Sequence, residues 1–167
     1  MCGHRPERVA EHRDKRMIGG ENVKVSVWPW QVSVQYQPNS SAPFIQVCGG
    51  AIIHRYWIMT AASYDVGVLQ EAEVDLMSRS LCNKPEYWNY TVAADMLCVS
   101  QFGGGVDGCE TNLGGPLNCY IEIEERYFLI GIRVKATSCG QPYRPNVYLK
   151  VYSHYYWIER ELNNSLH

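Results

Sequence analysis

Hydroxyl and imidazole side chains are the first candidates for chemistry in this sequence. Ser63, Thr111 and Ser138 carry hydroxyls that could act as nucleophiles, and His54 is a candidate general base. Transfer of an acyl group requires a hydroxyl, a histidine that accepts its proton and a carboxylate that orients the histidine. Whether these side chains form such a set depends on the elements that position them.

Metal chemistry is not indicated by the spacing of the other candidate ligands. No Cys, Asp or Glu stands at metal-ligand spacing from His4, His12, His154 or His167, and the cysteines form no C-x-x-C pair. We therefore expect no metal and no cofactor. The cysteine count of 7 is odd, so at least one thiol cannot pair within the chain.

The composition of the 167-residue chain is that of a folded domain. Hydrophobic residues make up 46% and charged residues 19%, which is enough to bury a sizeable core. A formal net charge of -2 argues against a nucleic-acid partner, because such a surface needs a basic excess. No apolar stretch approaches the roughly 20 residues of a membrane span. We expect a protein partner, whose identity the sequence does not give.

The cysteines and the N-terminal residues point to different compartments. The cysteine density indicates an oxidising compartment, and N-x-S/T triplets at Asn39, Asn89 and Asn163 fit a secreted glycoprotein. Residues 1–16 are polar, however, and lack the roughly 7–15 apolar residues of a signal peptide. The chain is either a cytosolic protein with unusual cysteine usage or a secreted protein whose true N-terminus is missing. We expect the second.

Short strands separated by turn residues dominate the middle of the chain. Apolar runs, several of them alternating, predict strands at 30–36, 51–53, 57–59, 71–76, 96–99, 127–132 and 147–151, with glycine-rich turns at 103–105 and 114–116. Tyr155, Ile158 and Leu162 have helical spacing, with Ser153 as the expected N-cap. The pattern predicts an all-β barrel or sandwich with one C-terminal α-helix.

A series of short motifs follows in order along the chain. They are KRMIGG at 15–20, PWQVSV at 29–34, CGGAII at 48–53, WIMTAA at 57–62, LQEAEV at 69–74, LCN at 81–83, MLC at 96–98, GGPL at 114–117, VYLKV at 147–151 and WI at 157–158. Together they resemble the trypsin/chymotrypsin-like serine protease family over nearly everything from Met17 to Asn163. Each run alone is short and weak evidence for the resemblance. Their number and their order along the chain together make the resemblance specific.

The resemblance implies two antiparallel β-barrels with an active site between them, and an activation junction between Arg16 and Met17. The motifs of the first barrel stop at Asp65, and those of the second barrel resume near Val66. We therefore expect an internal deletion of the rest of the first barrel, the crossing between barrels and the triad aspartate. The expected segments are a polar leader at 1–16, a partial first barrel at 17–65, and a second barrel with its helix at 66–167.

The resemblance also implies that the catalytic groups are lost. Ser63 stands where the family has its histidine, and a serine hydroxyl has far too high a pKa to act as a base at neutral pH. Leu113 stands at the nucleophile position and has no nucleophilic atom. By the same analogy His54 lies away from the cleft, so we interpret it as a structural or surface residue. Both losses are substitutions, so restoring the absent block would not restore the enzyme.

Residues that support catalysis in the family are altered as well. Asn112 replaces the aspartate that pairs with the freed N-terminus, and Thr111 replaces an oxyanion-hole glycine. Asp107 matches the basal aspartate of a pocket for Lys or Arg. The pocket wall nevertheless contains Ala136, and Asn146 replaces a wall glycine, so we expect a narrowed pocket.

For the cysteines, the resemblance implies two disulfides and three thiols without a matching partner. The two pairs are Cys82–Cys98 and Cys109–Cys139, and the unmatched cysteines are Cys2, Cys48 and Cys119. Two of the unmatched residues, Cys2 and Cys119, correspond to half-cystines whose partners fall in the absent block. An intermolecular bridge stays open for any of the three.

Three hypotheses for function remain open at the level of sequence. The first is a catalytically inactive serine protease homologue, either a secreted binding scaffold or a truncated isoform. The second is a trypsin-like serine endopeptidase, if the chain is an incomplete product of an active gene. The third is a degradation-prone product, because loss of half a barrel exposes strand edges and apolar core.

Overall fold

The computed structural model describes residues 3–5, 21–22, 25–61, 70–100, 113–135 and 145–164. The strands are β1 (Glu21–Asn22), β2 (Gln31–Tyr36), β3 (Ile45–His54), β4 (Trp57–Thr60), β5 (Gln70–Glu71), β6 (Asp75–Met77), β7 (Met96–Ser100), β8 (Pro116–Ile121), β9 (Arg126–Lys135) and β10 (Asn146–Lys150). The helices are α1 (Arg79–Cys82) and α2 (Tyr155–Asn164), with 3-10 turns at Val25–Val27, Glu122–Glu124 and Tyr152–His154.

The strands form three antiparallel sheets. The largest has the order β6-β7-β10-β9-β8, the second has the order β2-β3-β4, and β1 pairs with β5. Among the described residues, β6 does not pair with β8 and β2 does not pair with β4. Both larger sheets are therefore open rather than closed into barrels. The prediction of an all-β chain with a C-terminal helix is confirmed, and the two expected barrels are represented by these open sheets.

The three-stranded sheet follows the alternation in its sequence. Val32 and Val34 of β2 are partly covered, whereas Ser33 and Gln35 between them face solvent. Cys48 and Ala51 of the neighbouring strand β3 are buried. Strands that are apolar on one face and polar on the other form an antiparallel sheet with one packed face and one face in solvent. The three-stranded sheet has this arrangement.

The five-stranded sheet carries most of the described core. Buried Cys82, Val92, Cys98 and Val147 pack together, and Trp88 is among the partly buried residues that cover them. Val147 is fully buried, which stabilises the fold by about 1.5–3 kcal/mol for a side chain of this size. The second half of the chain is therefore the better packed of the two.

The structure differs from the predicted elements in several places. The strand expected at 71–76 is split into β5 and β6, because β5 pairs with β1 whereas β6 pairs with β7. The short strand β1 and the short helix α1 were not predicted. The strand β8 was not predicted either, because the glycines before it and Pro116 at its start indicate a turn. Ser153 is not an N-cap, because it lies inside the 3-10 turn that leads directly into α2.

Aromatic side chains join the two larger sheets. The ring of Trp28 lies 5.5 Å from that of Trp30 and 5.1 Å from that of Tyr127, and Tyr120 lies 5.0 Å from Tyr127. The indole nitrogen of Trp30 donates to the amide oxygen of Asn118 at 3.2 Å. Aromatic pairs at these separations add about 0.5–1.5 kcal/mol each beyond the area that they bury. This cluster fixes the sheets against each other beside the candidate site.

Candidate functional site

The segment from Leu113 to Gly115 lies between the two larger sheets and is bonded to both. The carbonyl oxygen of Leu113 accepts from the amide of Gly49 in β3 at 3.2 Å. The amide of Gly114 donates to the carbonyl of Arg133 in β9 at 2.9 Å, and the amide of Arg133 donates to the carbonyl of Gly115 at 3.0 Å. Backbone groups alone therefore hold this segment in place.

Gly114 brings the ends of two predicted motifs into contact. Its φ of 83° lies in the left-handed region that glycine adopts at little cost. A Cβ atom there would lie 2.5 Å from the carbonyl oxygen of Gly49, 2.8 Å from the hydroxyl of Thr60 and 2.9 Å from the carbonyl oxygen of Ala61. The end of the described segment 57–61 thus contacts the turn that follows Leu113.

The side chain of Leu113 carries no reactive atom. Leu113 is partly buried and offers only its backbone to hydrogen bonding. The groups that the described neighbours bring closest to Gly114 are the Gly49 and Ala61 carbonyls and the Thr60 hydroxyl. None of these three groups is a base at neutral pH.

Several residues named from the sequence lie outside the described ranges. They are Arg16 and Met17 of the junction, Ser63, the pocket residues Asp107 and Ala136, Thr111, Asn112, Ser138, and the cysteines Cys2, Cys109 and Cys139. Their predicted roles stay predictions.

A buried cation lies next to the one described residue of the predicted pocket wall. Arg133 is 3% exposed and Asn146 is 6% exposed, and Nη2 of Arg133 donates to Oδ1 of Asn146 at 2.5 Å. Removing a guanidinium from water costs several kcal/mol unless it is paired or hydrogen-bonded. Asn146 supplies an acceptor for the buried guanidinium, so the two side chains satisfy part of each other's hydrogen bonding.

Sequence analysis did not identify Arg133, although a signal was present. It is the single charged residue inside the apolar run at 127–134, and a charge on a buried strand needs a partner. Its charge also acts on Tyr148 in β10. Burial raises the pKa of Tyr148 above its ordinary value of 10.0, and the nearby Arg133 cation opposes that rise.

The described cysteines agree with the predicted pairing. Cys82 and Cys98 form a disulfide with Cα atoms 6.4 Å apart, which ties α1 to β7 and confirms that prediction. Among the described cysteines, Cys48 and Cys119 are not in a disulfide. Cys48 is buried and accepts a contact from the Thr60 hydroxyl at 3.3 Å, whereas Cys119 is exposed.

The three predicted glycosylation positions are all exposed. Asn39 lies in a turn where its Oδ1 accepts from the amide of Ser41 at 3.1 Å, Asn89 has a left-handed φ of 42°, and Asn163 lies near the end of α2. Exposure makes the amide nitrogens reachable. Glycosylation itself stays a prediction.

His54 lies away from the part of β3 that is bonded to Leu113. His54 ends β3, five residues from Gly49, which is about 16 Å along an extended strand. Its Nδ1 accepts from the amide of Tyr56 at 3.4 Å, as expected for a residue next to a tight hairpin turn. His154 lies 3.4 Å from a carboxylate oxygen of Asp95 at the surface.

The described ranges contain no group of three or more His, Cys, Asp or Glu that could hold a metal ion. None of the helices in that part of the chain is long and apolar enough to span a membrane.

Comparison with known families gives one match. The family model described as Trypsin matches residues 17–67 and 63–158, which together cover most of the chain. The two matched segments overlap at 63–67, a range that includes the 65/66 boundary at which the sequence predicts an internal deletion.

Proposed function

Because the chain belongs to the trypsin family, we propose that it is a catalytically inactive serine protease homologue that serves as a binding scaffold. The observation that carries this proposal is Leu113, which stands immediately before the glycines of the GGPL motif. That turn is bonded on one side to Gly49 and on the other to Arg133. An intact turn with leucine in place of the nucleophile supports a family scaffold without the family's chemistry.

The Arg133–Asn146 pair supports the same proposal for the specificity pocket. Asn146 belongs to the wall segment of the pocket by resemblance, and it is already bonded to a buried guanidinium of the same chain. A substrate arginine or lysine that entered the pocket would have to compete with the Arg133 guanidinium for Oδ1 of Asn146. We therefore propose that the pocket does not accept a basic side chain.

The two-segment family match supports an internal deletion in the first barrel. Segments that meet at 63–67 are what a missing block after Asp65 predicts. We propose the division into a leader at 1–16, a partial first barrel at 17–65 and a second barrel with its helix at 66–167. The open sheet β2-β3-β4 is then the remnant of the first barrel.

The surface left on that sheet supports a role in binding. Ile52 and Ile58 face each other across β3 and β4 and are 46% and 49% exposed, with exposed Phe44 and Tyr56 on the same sheet or its loops. The disulfide Cys82–Cys98 and the three exposed asparagines support a secreted chain. The proposed partner is a protein in the same extracellular fluid.

Peptide hydrolysis tests the loss of activity. The full chain, before and after cleavage following Arg16, is incubated with fluorogenic amides that carry Arg, Lys, Phe or Leu at the cleaved bond. We expect no release above that of the heat-denatured chain. Turnover that scales with the folded chain and is lost on denaturation or in Ser63→Ala would favour the trypsin-like endopeptidase instead.

Partner capture tests the scaffold role. Immobilised chain is exposed to a secretory fluid, and a bound protein is identified by mass spectrometry and then rebound in purified form. We expect saturable binding that weakens in Ile58→Lys and is unchanged in the surface control Lys84→Ala. Binding that depends on denatured chain would indicate the degradation-prone product.

A further inference from the structure

Three residues of the polar leader are docked on the body of the protein. The carbonyl of Gly3 accepts from the amide of Tyr127 in β9 at 2.9 Å. Gly3 has a φ of 82°, and a Cβ atom there would lie 2.5 Å from the carbonyl oxygen of Tyr127. A glycine is therefore required for the leader to approach the strand this closely.

Arg5 makes the main side-chain contacts of the docked leader. Its Nη2 lies 2.7 Å from Oε2 and 3.0 Å from Oε1 of Glu71, and its guanidinium carbon lies 4.1 Å from the centre of the Trp28 ring. The side chains of Arg5 and Glu71 are 13% and 9% exposed. A guanidinium that is paired, stacked and largely removed from water binds more strongly than a surface ion pair.

The groups that receive Arg5 are fixed by the fold rather than by the leader. The indole nitrogen of Trp28 donates to Oε2 of Glu71 at 2.6 Å, and the Trp28 ring also packs against Trp30 and Tyr127. Glu71 belongs to β5, and its sequence position is 66 residues from Arg5. The acceptor is thus assembled from distant parts of the chain and is preorganised for one guanidinium.

We propose that Gly3 and Arg5 form a noncovalent clasp that keeps the leader bound to the body after the chain is cut between Arg16 and Met17. By resemblance Cys2 lost its disulfide partner to the missing block, so a covalent tether is not assigned to the leader. The clasp supplies a backbone bond and a stacked ion pair in its place. The inference does not depend on whether the protein is catalytically active.

A release assay tests the clasp. The full chain carries Cys2→Ser, which removes any covalent tether, and a recognition sequence for a site-specific protease in place of residues 13–16. After cleavage and gel filtration, we expect the leader to co-elute with the body. Arg5→Ala should release it with at least a tenfold faster dissociation rate, and Arg5→Lys should release it to a lesser extent.

His4→Ala is the matched control, since His4 is exposed between the two clasp residues. It should retain the leader as the parent does. Dissociation of the leader from the parent during gel filtration, or equal retention by the parent and Arg5→Ala, would overturn the proposal.

Amide exchange provides a second measurement that needs no cleavage. The amide of Tyr127 is protected by the carbonyl of Gly3, so Arg5→Ala in the intact chain should speed its exchange at least tenfold. The amide of Val147 in β10, which lies in the core sheet, should not change. An unchanged Tyr127 rate in Arg5→Ala would also overturn the clasp.

Discussion

Leu113, Gly114 and Arg133 are held by backbone hydrogen bonds that do not depend on the identity of their side chains. The turn is therefore compatible with leucine at the position that the resemblance assigns to a nucleophile. Gly114 is different, because its left-handed φ and its close neighbours leave no room for a Cβ atom. At the scale of single residues, the fold constrains the glycine and leaves the reactive position free to change.

Replacement of Gly114 tests this distinction. We expect Gly114→Ala to lower the free energy of unfolding by about 1–3 kcal/mol, because alanine must adopt a strained φ and displace the Gly49 carbonyl. Gly49→Ala is the matched control, since its Cβ atom would meet Gly115 only at 3.3 Å. Urea unfolding measures both variants, and an equal or larger loss in Gly49→Ala would contradict the argument.

The buried phenol of Tyr148 should make the free energy of unfolding depend on pH in alkaline solution. Its pKa is raised above 10.0 in the folded chain by burial, so the unfolded chain loses the phenolic proton first as the pH rises. The free energy of unfolding should therefore be constant below about pH 9 and fall above about pH 10. Urea titrations over this range should show a smaller fall in Tyr148→Phe. Tyr152→Phe, at an exposed position, should behave as the parent does, and identical curves for all three proteins would contradict the prediction.

The elements show which parts of the fold are local enough to be predicted from sequence. The strand β2 was predicted because its own alternation specifies one covered face, and α2 was predicted from helical spacing. The strand β8 was missed because the two glycines before it and Pro116 indicate a turn, whereas pairing with β9 begins at Pro116 itself. The break between β5 and β6 was missed because each half pairs with a different strand, which the local sequence does not specify.

The candidate site likewise contains features that the local sequence predicts and features that depend on contacts between distant residues. The position of Leu113 in the turn before the GGPL motif was predictable, because both are adjacent in the sequence. The Arg133–Asn146 bond joins residues 13 apart on neighbouring strands, and the Arg5–Glu71 pair joins residues 66 apart. Pairings between distant charges depend on the tertiary structure, so no local pattern contains them.

The Cys82–Cys98 disulfide tests the strength of the second sheet as an element. It closes a short loop with a sequence separation of 16, which constrains the unfolded chain by about 3 kcal/mol. The double variant Cys82→Ala/Cys98→Ala should lose a free energy of unfolding of about that size. Cys119→Ala, an exposed thiol outside any described disulfide, should change it by less than about 0.5 kcal/mol. Equal effects of the two changes would indicate that the disulfide does not stabilise the fold.

At the scale of the whole molecule, the two larger sheets of the described residues are unequal, and aromatic side chains and the turn at Gly114 join them. The five-stranded sheet contains the Cys82–Val92–Cys98–Val147 core, whereas the three-stranded sheet exposes Ile52 and Ile58. We expect local opening of the three-stranded sheet to expose less additional apolar surface than opening of the five-stranded sheet. Its opening should therefore cost less free energy.

Hydrogen exchange measures this difference directly. We expect amides that pair β9 with β10 to exchange at least about tenfold more slowly than those that pair β3 with β4 under native conditions. Lys150→Ala, which removes an exposed contact to Ala94, serves as a control that should leave the order unchanged. Equal protection of both sheets would contradict the prediction, because the three-stranded sheet would then be as stable as the five-stranded sheet.

The central claim is that this member of the trypsin family has no activated serine. Covalent labelling tests it most directly, because a fluorophosphonate probe reacts with an activated serine whatever the substrate preference of the enzyme. The folded chain is labelled before and after cleavage following Arg16, with active trypsin as the positive control, and analysed by intact-mass spectrometry. The account predicts no added mass on this chain while trypsin is fully labelled. Stoichiometric labelling that maps to a serine of the folded chain and disappears on denaturation would contradict it.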